Sequence, residues 1–244
     1  MALDHPYARI ARPFVGGNTY GLYIEDDRYC SHRKYLIRSY YLLENDLRTL
    51  LNYVEPDTAN NSTFSHRIYE LFLRACTEFE TNCKSILTAN GYTKGSDFNM
   101  IDYFKIDKKA RLHEYEVKIL FWNTTMIIKP FDEWNSLTRK SLSWYKDYNT
   151  VKHNRSTDFQ KANFGNLIKA IAGVYVILYS QFANAIFDDL SSSYTINCDS
   201  DGFCSGDKGL LSLKPLTTWQ PGELYDFDWN TIKAEVNPFR QITF

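Results

Sequence analysis

The chain lacks an apolar leader: Met1 to Ile10 holds Asp4, His5, Pro6 and Arg9 and no continuous hydrophobic segment, so no secretory signal is read here. It lacks an even set of cysteines, the five being scattered at Cys30, Cys76, Cys83, Cys198 and Cys204. Both features point to a reducing cytoplasm, where the sequons at Asn60, Asn61, Asn123 and Asn154 would stay unglycosylated. Cys76 and Cys83, seven positions apart, fall on one helix face and read as small core side chains. Net charge is also missing: 28 Lys and Arg against 29 Asp and Glu leave −1. No global field would then recruit nucleic acid, and any such contact needs a local basic patch.

Common catalytic signatures are absent as well. No glycine-rich turn leads into Lys-Ser/Thr, and there is no Gly-x-Ser-x-Gly elbow, which sets aside P-loop nucleotide hydrolysis and the usual serine-hydrolase layout. Asn197-x-Asp199-x-Asp201-Gly202 opens like a calcium loop, but Lys208 occupies the twelfth position, where a bidentate Glu is needed, so it reads as a polar turn. Cys30-Ser31-His32 with His66, Cys76 or Cys83 matches no zinc spacing. No metal or cofactor is expected. Repeats and low-complexity tracts are missing too.

What remains is a globular chain of 244 residues, rich in aromatics (18 Tyr and 16 Phe). The fold class is mainly α: an up-and-down helical bundle with a small inserted β-hairpin and an irregular C-terminal extension. Residues 1–28, with Pro6, Pro13, Gly16, Gly17 and Gly21, read as an irregular arm. Apolar residues recurring at three and four predict a helix from about Ser31 to Tyr53, ended by Pro56, and a second from Phe64 to Ala89, capped by Asn90-Gly91. The short link between them predicts an antiparallel pair. A short helix is expected over Phe98–Phe104. Alternation at Tyr115, Val117, Ile119 and Phe121, with β-branched Thr125 to Lys129 following, predicts a hairpin around Asn123-Thr124. A third helix is expected over Ser136–Lys152 and a fourth over Thr157–Phe187. The fourth is apolar nearly all round from Ala170 to Tyr179, a run too short for a bilayer, and reads as a buried central helix rather than a membrane span. Residues 1–190 then form the bundle domain, and 191–244 an extension packed on the same body.

Polar chemistry gathers in Trp144-Tyr145-Lys146-Asp147-Tyr148-Asn149-Thr150-Val151-Lys152-His153-Asn154-Arg155. On a helix Asn149 and His153 are i and i+4 and share a face. Lys146 lies one turn earlier, Lys152 beside them, and Arg155 at the helix exit. An imidazole among cations and an amide suits phosphodiester chemistry: histidine shuttles the proton and cations hold phosphate oxygens. Cations at a helix C-terminus also simply complement its dipole.

The run Tyr148-Asn149-Thr150-Val151-Lys152-His153, followed by a long apolar helix, resembles the HEPN superfamily. Its hallmark is Arg, a polar residue (often Asn), three residues and His. Asn149 and His153 fit that pattern, and Tyr148 stands in the Arg position. The resemblance covers roughly residues 31–187 and implies a helical bundle, a homodimer with facing motifs, and RNA binding or metal-independent RNA cleavage in a defence or mobile-element system. On this reading His153 is the acid/base and Asn149 positions the substrate; Arg155, Lys152, Lys146 and Tyr148 form the substrate-binding set. The alternative is a non-catalytic helical interaction protein in which the same residues brace a helix end.

Overall fold

The computed structural model describes residues 2–17, 21–135, 141–187 and 195–244. Helix α1 (Arg33–Leu50) turns Leu36, Ile37, Tyr40, Leu43 and Leu47 inward, the spacing expected of a half-buried helix. It ends before Pro56, because the N–H groups of Tyr53 and Val54 close turns onto the Leu50 carbonyl. Helix α2 (His66–Ala89) starts where the Ser65 hydroxyl accepts from the Ile68 N–H at 3.2 Å, a side-chain N-cap. It stops at Asn90, with Gly91 at φ +73° in the left-handed region that favours glycine. Arg74 on α2 pairs with Asp46 on α1, and Tyr53 and Arg67 line one shared cleft. Late α1 therefore lies against early α2, and the pair is antiparallel.

Helix α3 (Met100–Ala110) is longer than the expected Phe98–Phe104. A reciprocal capping box holds its start, with Asn99 Oδ1 accepting from Ile101 N and Asp102 Oδ2 from Asn99 N, each at 2.9 Å. It ends where Arg111 turns left-handed. Helix α4 (Ser143–His153) follows; the start expected at Ser136 lies outside the described residues.

The expected single helix over Thr157–Phe187 is broken. One turn (Arg155–Asp158) and a tighter turn (Phe159–Lys161) precede helix α5 (Phe164–Phe182). The break has a local cause: Asn163 Oδ1 accepts from the Asn166 N–H at 3.0 Å, so the chain restarts there with a fresh cap. After Phe182, Ala183 takes φ +45° and the chain tightens over Ala183–Phe187.

Helix α5 is the centre of the molecule and packs against α1, α2 and α4. The stretch from Phe164 to Phe187 is long and apolar enough to cross a membrane, and nearly all of it is buried inside the protein. Beside it, Phe79 meets Trp144 at 5.3 Å, Phe131 at 5.7 Å, and Tyr103 and Tyr145 at 6.0 Å. Gly173 lets α5 approach this cluster: a Cβ there would lie 3.3 Å from the Trp144 ring.

Strands β1 (Glu116–Ile119) and β2 (Met126–Ile128) form the expected hairpin. The C-terminal region, expected to be irregular, adds β3 (Ile196–Cys198), β4 (Cys204–Gly206) and β5 (Leu211–Lys214). Together they make one antiparallel sheet in the order β2-β1-β5-β4-β3. Register places Val117 opposite Leu213 and Ile119 opposite Leu211, and all four side chains are buried. The protein is therefore mainly helical with a five-stranded sheet.

Cys198 and Cys204, paired across β3 and β4, are joined by a disulfide, while Cys30, Cys76 and Cys83 are free and buried. The Asn197–Gly202 loop is a polar turn: Asp199 Oδ1 accepts from Asp201 N at 2.9 Å and Phe203 N at 3.0 Å. The Lys118 ammonium sits against the Asp199 and Asp201 carboxylates.

The N-terminal arm is tied to the C-terminal segment. Leu3 N donates to the Leu224 carbonyl at 2.7 Å, Tyr225 N to Pro13 at 3.0 Å, and Ala8 N to Arg240 at 2.9 Å. The buried Tyr225 hydroxyl donates to the Ile10 carbonyl at 2.7 Å. This arm also contains short helical turns at Leu22–Glu25 and Asp27–Cys30.

Candidate functional site

Packing fixes how α4 is rotated. Trp144, Tyr145, Tyr148 and Val151 are buried; Trp144 Nε1 donates to the Pro130 carbonyl at 2.9 Å and the Tyr145 hydroxyl to Glu80 at 2.7 Å. With that face inward, Lys146, Lys152 and His153 are exposed and Asn149 is half-buried. Asn149 and His153 stand one turn apart on the same side of the helix, as the i, i+4 spacing requires.

Tyr148 is only 2% exposed and lies with Phe72 and Tyr145. Its hydroxyl takes a hydrogen bond from Lys152 Nζ at 3.1 Å, and the ammonium lies 5.1 Å from the ring centre. Burial raises the Tyr148 pKa, and the bond to the tyrosine oxygen raises that of Lys152. Both stay protonated at neutral pH, so Lys152 is a fixed cation at the edge of the core.

Arg155 follows the break at Asn154 and folds back onto the start of α2. Its Nη2 donates to His66 Nδ1 at 3.1 Å. The guanidinium lies 4.9 Å from the Tyr69 ring centre and 5.7 Å from that of Phe159. His66 in turn packs on Phe159 at 4.9 Å, and Phe64, 48% exposed, meets the same ring at 5.6 Å. Among the described residues Arg155 has no carboxylate partner. The two helix ends thus build one surface of cations and aromatic rings.

Of the sequence candidates, the structure brings Lys152 to Tyr148, and gives Arg155 partners outside the set. Asn149, His153 and Lys146 form no side-chain hydrogen bond among the described residues. His66, Tyr69, Phe159 and Phe64 were not anticipated. Their mixed spacing carries no motif, and they become neighbours only because the chain breaks between α4 and α5. Among the described residues no group of three or more His, Cys, Asp or Glu side chains is placed to hold a metal ion.

A separate cleft of about 330 Å3 lies between α1 and the turn before β5. Tyr40 and Tyr175 stack there at 5.1 Å. Glu44 is buried beside them, accepting from Leu210 N at 2.7 Å and from the Tyr40 hydroxyl at 3.1 Å. Burial raises the Glu44 pKa despite those donors.

Comparison of the chain with family models, curated proteins and solved structures returns no match.

Proposed function

We propose that this is an RNA-binding protein of the HEPN-like type, an up-and-down bundle of α1, α2, α4 and α5, serving a defence or mobile-element system. The observation that carries this reading is the setting of Arg155. An exposed guanidinium between two aromatic rings, bonded to an imidazole rather than an acid, keeps its charge available for a phosphate. The neighbouring rings, with Phe64 half-exposed, offer faces on which unpaired bases can stack. Lys152, Lys146 and His153 extend the positive rim along α4. The local patch supplies what a net charge of −1 does not.

Binding is favoured over cleavage. In the matching motif the arginine would stabilise charge on the scissile phosphate, and here that position is Tyr148, turned into the core. His153 remains available as a proton shuttle with Asn149 beside it, so cleavage stays a defined second outcome. The resemblance also implies a homodimer with the two α4 ends facing one another.

The test is a titration of single-stranded RNA against the parent protein, Arg155→Ala and His153→Ala, with gel analysis of the RNA. The expected result is that Arg155→Ala weakens binding by about tenfold, the worth of one charge-assisted hydrogen bond. The salt dependence of binding should fall by about 0.7 for each phosphate that the variant no longer neutralises. Cleavage by the parent that disappears in His153→Ala would move the assignment to nuclease. Absence of RNA binding by the parent overturns the proposal, and a change confined to stability leaves Arg155 a brace in an interaction protein.

A further inference from the structure

Arg9 is a buried cation with only neutral partners. It is 3% exposed and held at φ +60° in a tight turn. Its Nε donates to Gln181 Oε1 at 2.8 Å, Nη2 contacts the same oxygen, and Nη1 donates to Cys30 Sγ at 3.1 Å. The guanidinium also lies 5.3 Å from the Phe182 ring centre. Gln181 is fixed in turn, donating to Asn82 Oδ1 at 3.0 Å and to the Ile177 carbonyl at 2.8 Å. Burial pushes the Cys30 thiol up and the Arg9 pKa down, so the thiol is neutral and the charge is uncompensated. Removing a cation from water without a counter-charge is costly.

Arg9 forms part of the wall of an open cavity of about 420 Å3, with Ser31, His32, Lys84, Ser85 and Thr88 around it. Arg28 also lines this cavity but is already paired with Asp26 at 2.8 Å. Asp27 is the one carboxylate in the lining, and it is exposed. Lys84 has no ion pair among the described residues. At the end of α2 the Ile86, Leu87 and Thr88 carbonyls already accept from Asn90, Tyr92 and Gly91. Two cations without a carboxylate partner at different depths, the hydrogen-bonded pair Ser31 Oγ and His32 Nδ1 (3.2 Å), and the Ser85 and Thr88 hydroxyls match the several acceptor oxygens of a tetrahedral dianion better than the two of a carboxylate.

We propose that this cavity binds a phosphate group, with Arg9 as its buried anchor and Lys84 as its outer contact. The source is inorganic phosphate or the 5′-phosphate of a nucleotide. The site is independent of the surface around Arg155: Lys84 and His66 are 18 residues apart on α2, about 27 Å along the helix.

The experiment is calorimetric and thermal titration of the full chain with sodium phosphate and with a nucleoside 5′-monophosphate, each matched in ionic strength by sodium chloride. Phosphate should raise the melting temperature where chloride does not. Lys84→Ala, an exposed substitution that leaves the fold intact, should weaken binding by about tenfold. Arg9→Met should abolish the phosphate response; if that variant does not fold, the Lys84→Ala result decides alone. Binding of single-stranded RNA should be the same in Lys84→Ala as in the parent, which keeps this site distinct from the surface around Arg155. Tighter binding of the nucleotide assigns the source as a 5′-phosphate, and equal binding assigns it as the free ion. No shift beyond that of chloride, or equal affinity in parent and Lys84→Ala, overturns the proposal.

Discussion

Glu44 shows what a single buried acid does to stability. Its folded pKa is raised by burial, so folding favours the protonated form. That contribution is complete below the unfolded value of about 4.3 and is lost as pH rises through the folded value. Glu44→Gln keeps an acceptor for Leu210 N and cannot ionise. Its stability relative to the parent should therefore increase between pH 4 and pH 7, read as urea midpoints at the two pH values. An unchanged difference would remove the burial argument. Tyr148 makes the opposite case. Tyr148→Arg would complete the family-like motif in letters, yet it would place a cation against Phe72 and Tyr145. A loss of about 3–5 kcal/mol, the cost of an uncompensated buried charge, is expected in chemical denaturation. At this scale the sequence revealed that Asn149 and His153 share a face, because helix periodicity alone dictates that. It could not reveal Arg9, whose significance comes from Gln181 and Cys30, 172 and 21 positions away.

Among the elements, the helices were the legible part. Apolar spacing is a local property, so α1, α2 and α5 could be anticipated from Leu36, Phe72 and Ile171 and their neighbours. Their ends were less so, because a cap such as Asn163 looks like any polar residue until its side chain is seen on the Asn166 N–H. The sheet was legible only as a hairpin: Val117 and Leu213 pair across nearly 100 residues, and nothing local announces that. Two predictions belong here. Gly173→Leu should cost about 1–3 kcal/mol through crowding of Trp144 and Phe131, lowering the melting temperature by about 2–4 °C per kcal/mol. Replacing Cys198 and Cys204 together by Ser should cost about 2 kcal/mol by the chain-entropy model, because the bond closes a short loop between cysteines only 6 positions apart. The difference between the two proteins should vanish in a reducing agent.

For the molecule as a whole, residues 191–244 were anticipated as an extension on one body. The segment does more than rest on the bundle. It supplies β3, β4 and β5, and Tyr225 is buried against the N-terminal arm. A chain ending at residue 190 should lack a cooperative thermal transition, with the full chain giving one. A sharp transition in the shortened chain, measured by calorimetry, would show that the bundle stands alone.

The interlocking of the two ends has a consequence for synthesis. Ala11 is hydrogen-bonded to Ser180 at the end of α5, and Ala8 to Arg240. The arm is therefore fastened by residues synthesised long after it. While the ribosome is still translating, the apolar surface of α5 has no completed cover. Nascent chains stalled before residue 225 should be open to protease and to chaperones that hold exposed hydrophobic segments, and protection should arrive abruptly once Arg240 clears the exit tunnel.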